Sequence, residues 1–322
     1  MNETTRQLIV HKVKHNAKRL ITSIKWVIFS IVVGIVAGSC GTAFYFALSV
    51  VTDFRMKYPW LIYFLPIGGL AIVGLYHLCK DDNDTGTNLV ISAIHSDDKV
   101  PFRMAPLIFV STLITHLFGG SAGREGAALQ LGGSIGNGLG RLFHFDEKDK
   151  HIMIMCGMSA AFSALFGTPM AAAIFSMEVV SVGIMYYAAL VPCVISSLIA
   201  HAIATSFGVS PDGFPLGKIP DFTIGSAVEI SILAILCALV SILFCVMLHG
   251  SDHLYKKFFK NPYLRVFVGG CIVVVLTLLV GDQTYNGTGI NIIARCMDGT
   301  VRPEAFFLKM LFTAATLGAG YK

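Results

Sequence analysis

Residues 119–133 have the sequence GGSAGREGAALQLGG, in which small and apolar residues surround an adjacent Arg124 and Glu125. The glycines allow the chain to turn, and the apolar run behind them predicts a helix whose first turn holds Glu125. The first backbone N–H groups of a helix have no partner inside it, and together with the positive end of the helix dipole they attract anions. This break therefore predicts an anion site in apolar surroundings.

The rest of the chain has the composition of a membrane protein. Of its 322 residues 55% are hydrophobic and 13% are charged, and apolar runs long enough to cross a bilayer recur along it. A soluble domain carries about a quarter charged residues, so composition excludes that class. We predict an all-α polytopic membrane protein. The eight cysteines form no C-x-x-C pair and lie mostly in apolar runs, so we expect neither disulfides nor a metal site. We also expect no cofactor and no nucleic-acid partner.

The amino-terminal 25 residues are basic. Because positive segments stay in the cytoplasm, we expect a cytoplasmic amphipathic segment over 1–25 that lies on anionic lipid; a disordered basic tail is the alternative. The first apolar run, 26–51, is too long for a signal peptide and predicts a retained membrane helix. The bases that precede this run are Arg6, His11, Lys12, Lys14, His15, Lys18, Arg19 and Lys25.

Many of the later apolar segments are too short to span the bilayer as straight helices. We therefore expect tilted and broken helices, whose breaks line a pathway because irregular backbone survives at membrane depth only in protein or beside water. After 26–51 the predicted segments are 60–79, 104–119, 125–141, 150–166, 168–188, 189–207, 227–250, 264–281 and 304–317, with short pieces at 87–95 and 288–296.

An internal repeat crosses the chain. GTNLVISAIHSDDKVP begins at Gly86 and GTGINIIARCMDGTVRP begins at Gly287, and each is followed by an apolar helix and a glycine break. The repeat predicts two membrane halves of inverted topology, 26–207 and 223–322, joined by a linker over 208–222. The second copy ends soon after its break, so we expect a complete protein of about 400 residues, with the second half incomplete here.

Glu125 is the candidate gate. Its carboxylate can occupy the site of a transported anion when charged and leave that site when protonated, which would make it a proton carrier as well. The structural alternatives are an ion pair between Arg124 and Glu125, or a helix-capping acid at the membrane surface. The anion-binding groups that we predict beside it are the backbone amides of Gly123, Arg124, Gly126 and Ala127.

The stretch GREGAALQLGGSIG, followed by GMSAAFSALFGTPMAAAIFSMEV (157–179), resembles the CLC family of anion channels and anion/proton antiporters from about Val33 onward. The resemblance implies inverted repeats, a gating glutamate at Glu125, and a homodimer with one pathway in each subunit. It also implies that the break at Gly318, Gly320 and Tyr321 is the matching helix start of the second repeat.

Two departures point to the fluoride/proton antiporter branch of that family. Chloride-handling members have a G-S-G-I-P loop, where this chain has DTGTNLVISAIH (84–95), and chloride/proton exchangers usually have a glutamate at the position of Val179. Fluoride holds its water tightly, so its site needs concentrated donors, and TGTN offers several. An N-cap and turn is the structural alternative for these residues. The predicted anion-binding residues of this segment are Thr85, Gly86, Thr87 and Asn88.

We therefore predict proton-coupled fluoride export across the cell membrane, with fluoride and protons as partners and a chloride-type exchanger or passive channel as the alternative. A remote alternative is an intramembrane protease, because GMSAA (157–161) is near a G-x-S-G motif and His116 lies in a membrane helix. However, Ala160 stands where that motif needs glycine, and the histidine precedes Ser159 instead of following it. Bonding of His116 to a neighbouring helix carbonyl is the structural alternative to a proton-relay role.

Overall fold

The computed structural model describes residues 3–80, 101–180, 185–210, 221 and 223–322, and these form helices and no strands. The helices are α1 (Glu3–Lys57), α2 (Leu65–Leu78), α3 (Met104–Leu117), α4 (Glu125–Leu142), α5 (Glu147–Phe166), α6 (Pro169–Glu178), α7 (Leu190–Ser206), α8 (Ile224–Phe258), α9 (Pro262–Val280), α10 (Ile290–Met297) and α11 (Ala305–Gly318). Short 3₁₀ helices precede α2 (Pro59–Phe64) and α7 (Tyr187–Ala189).

Five of the described segments are long and apolar enough to cross a membrane. They are Arg19–Lys57, Pro59–Leu78, Tyr187–Ser206, Ile224–Phe258 and Pro262–Val280. Two further apolar helices, α3 and α11, have only 14 residues each. At 1.5 Å per residue such helices reach about 21 Å, less than the hydrocarbon core. The described residues thus contain both apolar helices long enough to cross a membrane and apolar helices too short to do so.

Most helix bounds agree with the segments predicted from the sequence, but two differ. The apolar run predicted over 168–188 forms a helix only to Glu178. The predicted basic segment 1–25 is not a separate helix, because α1 continues through Lys25 without a break. Lys25 itself is tied to the start of α5, since its Nζ lies 2.5 Å from Oδ2 of Asp149.

The contacts divide the chain into two compact units. The first comprises Met1–Tyr45, Thr87–Ala105 and Ala128–Pro211, and the second comprises Phe46–Gly86, Pro106–Ala127 and Asp212–Lys322. The units interleave along the sequence, so helices α1, α3 and α4 each contribute to both. The division into repeats at 208–222 stays a prediction.

In the first unit, small residues bring helices close together. Gly132 of α4 and Gly157 of α5 face each other so closely that a Cβ on either would overlap the carbonyl oxygen of the other. Serine hydroxyls then join α5 to the carbonyls of α7, where Ser159 Oγ donates to Cys193 O at 3.0 Å and Ser163 Oγ donates to Ser197 O at 2.8 Å. Close backbone approach and interhelical hydrogen bonds are what hold membrane helices together.

In the second unit, Tyr321 fastens α2 to α9. Its hydroxyl lies 2.9 Å from the carbonyl oxygen of Leu65 and 3.1 Å from that of Val266, and the residue is 3% exposed. Glycines make room for this phenol, because a Cβ on Gly69 or Gly270 would meet its oxygen. The carboxyl-terminal break is therefore packed against the membrane helices of its own unit.

Tyr321→Phe is expected to lower the free energy of unfolding by about 1 kcal/mol, because a buried hydrogen bond is lost without a change in shape. Thermal unfolding of the purified protein in detergent measures this. Tyr263→Phe on α9 is the matched control, since Tyr263 is 37% exposed and should tolerate loss of its hydroxyl. Equal effects of the two substitutions would contradict the structural role of the Tyr321 hydroxyl.

Candidate functional site

The glycine break at 119–124, here called the gate loop, connects α3 to α4. Gly119 has φ +79°, a left-handed conformation that glycine adopts without strain, and α4 begins at Glu125 as predicted. Arg124 is 7% exposed, whereas Gly123 and Glu125 are exposed. The predicted helix start is thus formed, with its glutamate as the first helical residue.

The Glu125 side chain folds back toward the amino end of its own helix. Its Oε2 lies so close to Gly123 that a Cβ at that position would overlap it. This brings the carboxylate to the amino-terminal end of α4, toward the positive end of the helix dipole. The structure therefore has an anionic group at the helix start, where the sequence predicts an anion.

A second loop, 281–289, packs against the gate loop within the same unit. The Gly287 N–H donates to Gly120 O at 3.1 Å, and Asn286 Nδ2 donates to Gly119 O at 2.7 Å. Gly287 also has a left-handed φ of +67°. One backbone donor and one side-chain donor of the second loop thus bind two carbonyl groups of the gate loop, and buried carbonyl groups in an apolar protein need such partners.

Hydroxyl groups of α11 complete the support of the gate loop. Ser121 N–H donates to Thr316 Oγ1 at 3.1 Å, and Ser121 Oγ lies 3.0 Å from Thr313 Oγ1. Lys309 of α11 donates to Ser121 Oγ at 2.8 Å. Sequence reasoning missed these α11 residues, although a lysine inside a short apolar helix is a signal that could have marked this one.

Positive charge is concentrated around the gate loop. Arg55, at the end of α1, is 4% exposed, and its Nε and Nη1 have no hydrogen-bond partner among the described residues. Its guanidinium lies beneath Gly119 and Gly287. Buried His116 lies within electrostatic range of Arg55, Lys309 and Arg124. Buried cations of this kind favour an anion nearby.

The structure places the other candidates as follows. His116 Nε2 has no hydrogen-bond partner among the described residues, so no bond from that atom to a helix carbonyl is present.

The break predicted as a second helix start contains the end of α11 at Gly318 and a left-handed Gly320. Its role in anion binding stays a prediction. Thr85, Gly86, Thr87 and Asn88 lie outside the described residues. Among the described residues no cluster of metal ligands occurs.

The internal repeat is visible in the helices that precede the two breaks. Both α3 and α11 have 14 residues, and their first residues, Met104 and Ala305, are 201 positions apart, as are their last residues, Leu117 and Gly318. The same spacing separates Gly86 from Gly287 in the sequence. The two copies thus share helix length as well as residue pattern.

Sequence comparisons agree with this geometry. The family described as "Voltage gated chloride channel" matches residues 68–322. A chloride/fluoride channel protein of Pseudomonas syringae pv. tomato is 34% identical over 305 residues, which cover 92% of this chain and 68% of that protein. An H(+)/Cl(-) exchange transporter ClcA of Vibrio cholerae is 26% identical over 297 residues, which cover 84% of this chain and 62% of the transporter.

Solved structures show the same fold. A crystal structure of a CLC-type fluoride/proton antiporter matches with a TM-score of 0.87 at 32% identity, over 92% of this chain and 76% of that one. A slow cyanobacterial Cl⁻/H⁺ antiporter matches with a TM-score of 0.75 at 20% identity, over 92% of this chain and 74% of that one, which supports the fold alone. With its paired glycine breaks and the Glu125 helix start, the chain belongs to the voltage-gated chloride channel family, the CLC proteins.

Proposed function

We propose that this membrane protein is a fluoride/proton antiporter that exports fluoride. The observation that carries the proposal is the position of Glu125, whose carboxylate is turned back over Gly123 at the start of α4. Membership of a family of membrane ion transporters and channels supplies the context. Among its relatives, one is named a chloride/fluoride channel protein and a structural neighbour is a fluoride/proton antiporter.

In this mechanism Glu125 alternates between two states. Ionised, its carboxylate accepts hydrogen bonds at the helix start and keeps an anion out of that position. Protonated, it loses its attraction for the amides of Gly126 and Ala127 and for the surrounding cations, and a fluoride ion takes its place. In each transport cycle the side chain carries a proton in one direction and the helix-start amides pass an anion in the other. Inward proton flow therefore drives fluoride outward.

The fluoride assignment rests on the residues that depart from the chloride pattern. Val179, at the end of α6, cannot carry a proton, and Glu178 beside it is exposed. The TGTN segment at 85–88 is proposed to supply hydroxyl and amide donors to the ion. A chloride-type exchanger or channel is the second candidate, supported by the similarity to the ClcA transporter of Vibrio cholerae.

Anion flux from proteoliposomes distinguishes the two candidates. An ion-selective electrode would record fluoride and chloride efflux under matched gradients, with empty liposomes as the control. We expect fluoride efflux at least ~10-fold faster than chloride efflux, which corresponds to a difference of about 1.4 kcal/mol in barrier height. Equal rates for the two anions would remove the fluoride assignment and leave the CLC fold.

The intramembrane protease is not supported by the surroundings of Ser159. Ser159 is 0% exposed, and its Oγ donates to the carbonyl oxygen of Cys193. A nucleophilic serine needs a general base within hydrogen-bond reach, whereas this hydroxyl is a link between α5 and α7. We propose further that the protein is a homodimer in the cell membrane with its basic amino terminus in the cytoplasm.

A further inference from the structure

Arg55 is a buried cation that the gating mechanism of Glu125 does not use. It stands in the last turn of α1 and is 4% exposed, and its Nε and Nη1 have no hydrogen-bond partner among the described residues. A guanidinium carries five N–H donors and stays charged throughout the physiological pH range. Because a buried charge without a partner is costly, this side chain indicates that a negatively charged group binds beside it.

The two loops around Arg55 bring the guanidinium into position without offering it an acceptor. A Cβ on Gly119 would lie 3.6 Å from Nη1, and a Cβ on Gly287 would lie 3.0 Å from Nη2. The carbonyl oxygens of both glycines already accept other hydrogen bonds, at Gly119 from Asn286 Nδ2 at 2.7 Å and at Gly287 from Lys309 Nζ at 2.6 Å. Since both glycines lack a side chain, the flanks of the guanidinium are not filled by one.

Lys309 is a second cation beside the same glycine. Besides the carbonyl of Gly287, its ammonium donates to two further uncharged oxygens, Ser121 Oγ at 2.8 Å and Tyr285 O at 3.1 Å. Neither Arg55 nor Lys309 forms an ion pair with an acid in the part of the chain that the structure describes. Two cations that contact one residue, with no carboxylate between them, repel each other and attract an anion.

The acids closest to Arg55 in the sequence and in the loops do not supply that anion. Asp53, two residues before Arg55, is exposed, and so is Asp282 of the second loop. The Glu125 carboxylate is turned back over Gly123 and forms no ion pair with Arg55. A small anion from solution is therefore the group that these cations can bind.

We propose that Arg55 binds a small inorganic anion beneath the gate loop, at a site separate from the helix start at Glu125. Lys309 adds positive charge to this site, while its hydrogen bonds hold the loops around it. Because Arg55 does not titrate, the anion binds here without exchange of a proton. Only the choice of fluoride as the first anion to test rests on the proposed function, since the site itself follows from burial and charge.

Isothermal titration calorimetry of the purified protein in detergent measures this site. Sodium fluoride and sodium chloride are titrated separately into a gluconate buffer at alkaline pH, where ionised Glu125 keeps anions from the helix start. We expect the wild type to bind one anion per chain and Arg55→Met to bind it at least ~10-fold more weakly. Arg302→Met is the matched control, because the side chain of Arg302 is 84% exposed and its loss should leave the affinity unchanged.

Thermal unfolding distinguishes anion binding from a purely structural role of Arg55. Replacing a buried charge that has no partner with an apolar side chain is neutral or stabilising, so Arg55→Met should unfold in gluconate no earlier than the wild type. A bound anion stabilises the folded state, so fluoride should raise the unfolding midpoint of the wild type and of Arg302→Met but not of Arg55→Met.

Three results would overturn the site. They are a wild type that binds neither halide, an Arg55→Met variant that binds the anion with wild-type affinity, and an Arg55→Met variant that fails to fold or is destabilised in gluconate. The last result would show that the guanidinium has a structural partner in the protein. No result of this series therefore leaves the site undecided.

The same titrations separate this inference from the proposed function. Chloride that binds at Arg55 where fluoride does not would support the site and contradict the fluoride assignment. Glu125→Gln should keep the binding that depends on Arg55, and loss of that binding would show that the anion lies at the helix start instead. Proton coupling retained by Glu125→Gln in a flux assay would overturn the proposed function and leave the Arg55 site intact.

Discussion

Glu125→Gln is expected to abolish proton coupling. Glutamine has nearly the shape of glutamate and can remain at the start of α4, but it can neither ionise nor carry a proton. Proton uptake driven by a fluoride gradient should fall at least ~10-fold, which corresponds to about 1.4 kcal/mol or more, and fluoride transport should lose its pH dependence. A pH-sensitive dye inside proteoliposomes measures the proton movement directly.

Glu147→Gln is the matched control for this experiment. Glu147 is also the first residue of a helix, α5, and it pairs with Lys150 at 2.8 Å at the surface of the first unit. Loss of its charge should leave coupling unchanged. If Glu147→Gln reduced proton movement as strongly as Glu125→Gln, a general change in surface charge would explain both results.

Gly157→Leu is expected to prevent folding. A side chain on Gly157 would overlap the backbone of Gly132, and backbone cannot move aside as a flexible side chain can. The cost of forcing α4 and α5 apart should exceed the ~1–3 kcal/mol of ordinary overpacking, because the serine bonds between α5 and α7 would be displaced too. Size-exclusion chromatography in detergent should show aggregate in place of a monodisperse peak.

Gly250→Leu provides the comparison. Gly250 also lies inside a helix, α8, but nothing would meet a Cβ there within 4 Å. Leucine is a better helix former than glycine, so this variant should yield as much monodisperse protein as the wild type. Equal loss of protein in both variants would show that added bulk, and not the contact with Gly132, is responsible.

Sequence patterns predicted the helices well where apolar runs end at glycine or at a capping residue. The start of α4 at Glu125 followed from the glycines before it, and the presence of an apolar helix before each glycine break followed from the repeat. The equal length of α3 and α11 was not predicted, since the expected segments were 104–119 and 304–317. The apolar run 168–188 was extended too far, because hydrophobicity alone contains no signal for the end of α6 at Glu178. The continuity of α1 through Lys25 was missed because a change in composition need not break a helix.

The residues that support the gate loop could not be predicted from sequence patterns. The contacts of Arg55, Asn286 and Lys309 with the gate loop join residues far apart in sequence, and no local pattern specifies such pairs. Arg55 looks like an ordinary basic residue at the end of α1, and only its burial beneath Gly119 and Gly287 marks it as part of the site. The sequence located the helix start at Glu125, whereas the residues that support the loop before it depend on tertiary structure.

Fluoride movement driven by a proton gradient alone tests directly whether the protein couples the two ions. Proteoliposomes containing the protein would hold equal fluoride inside and outside, with no membrane potential, and the outside pH would be lowered. If the protein is an antiporter, fluoride leaves the vesicles against its own rising gradient while protons enter, and Glu125→Gln stops both flows. Fluoride that stays at equal concentration on the two sides, in vesicles that release it freely down a fluoride gradient, would contradict antiport.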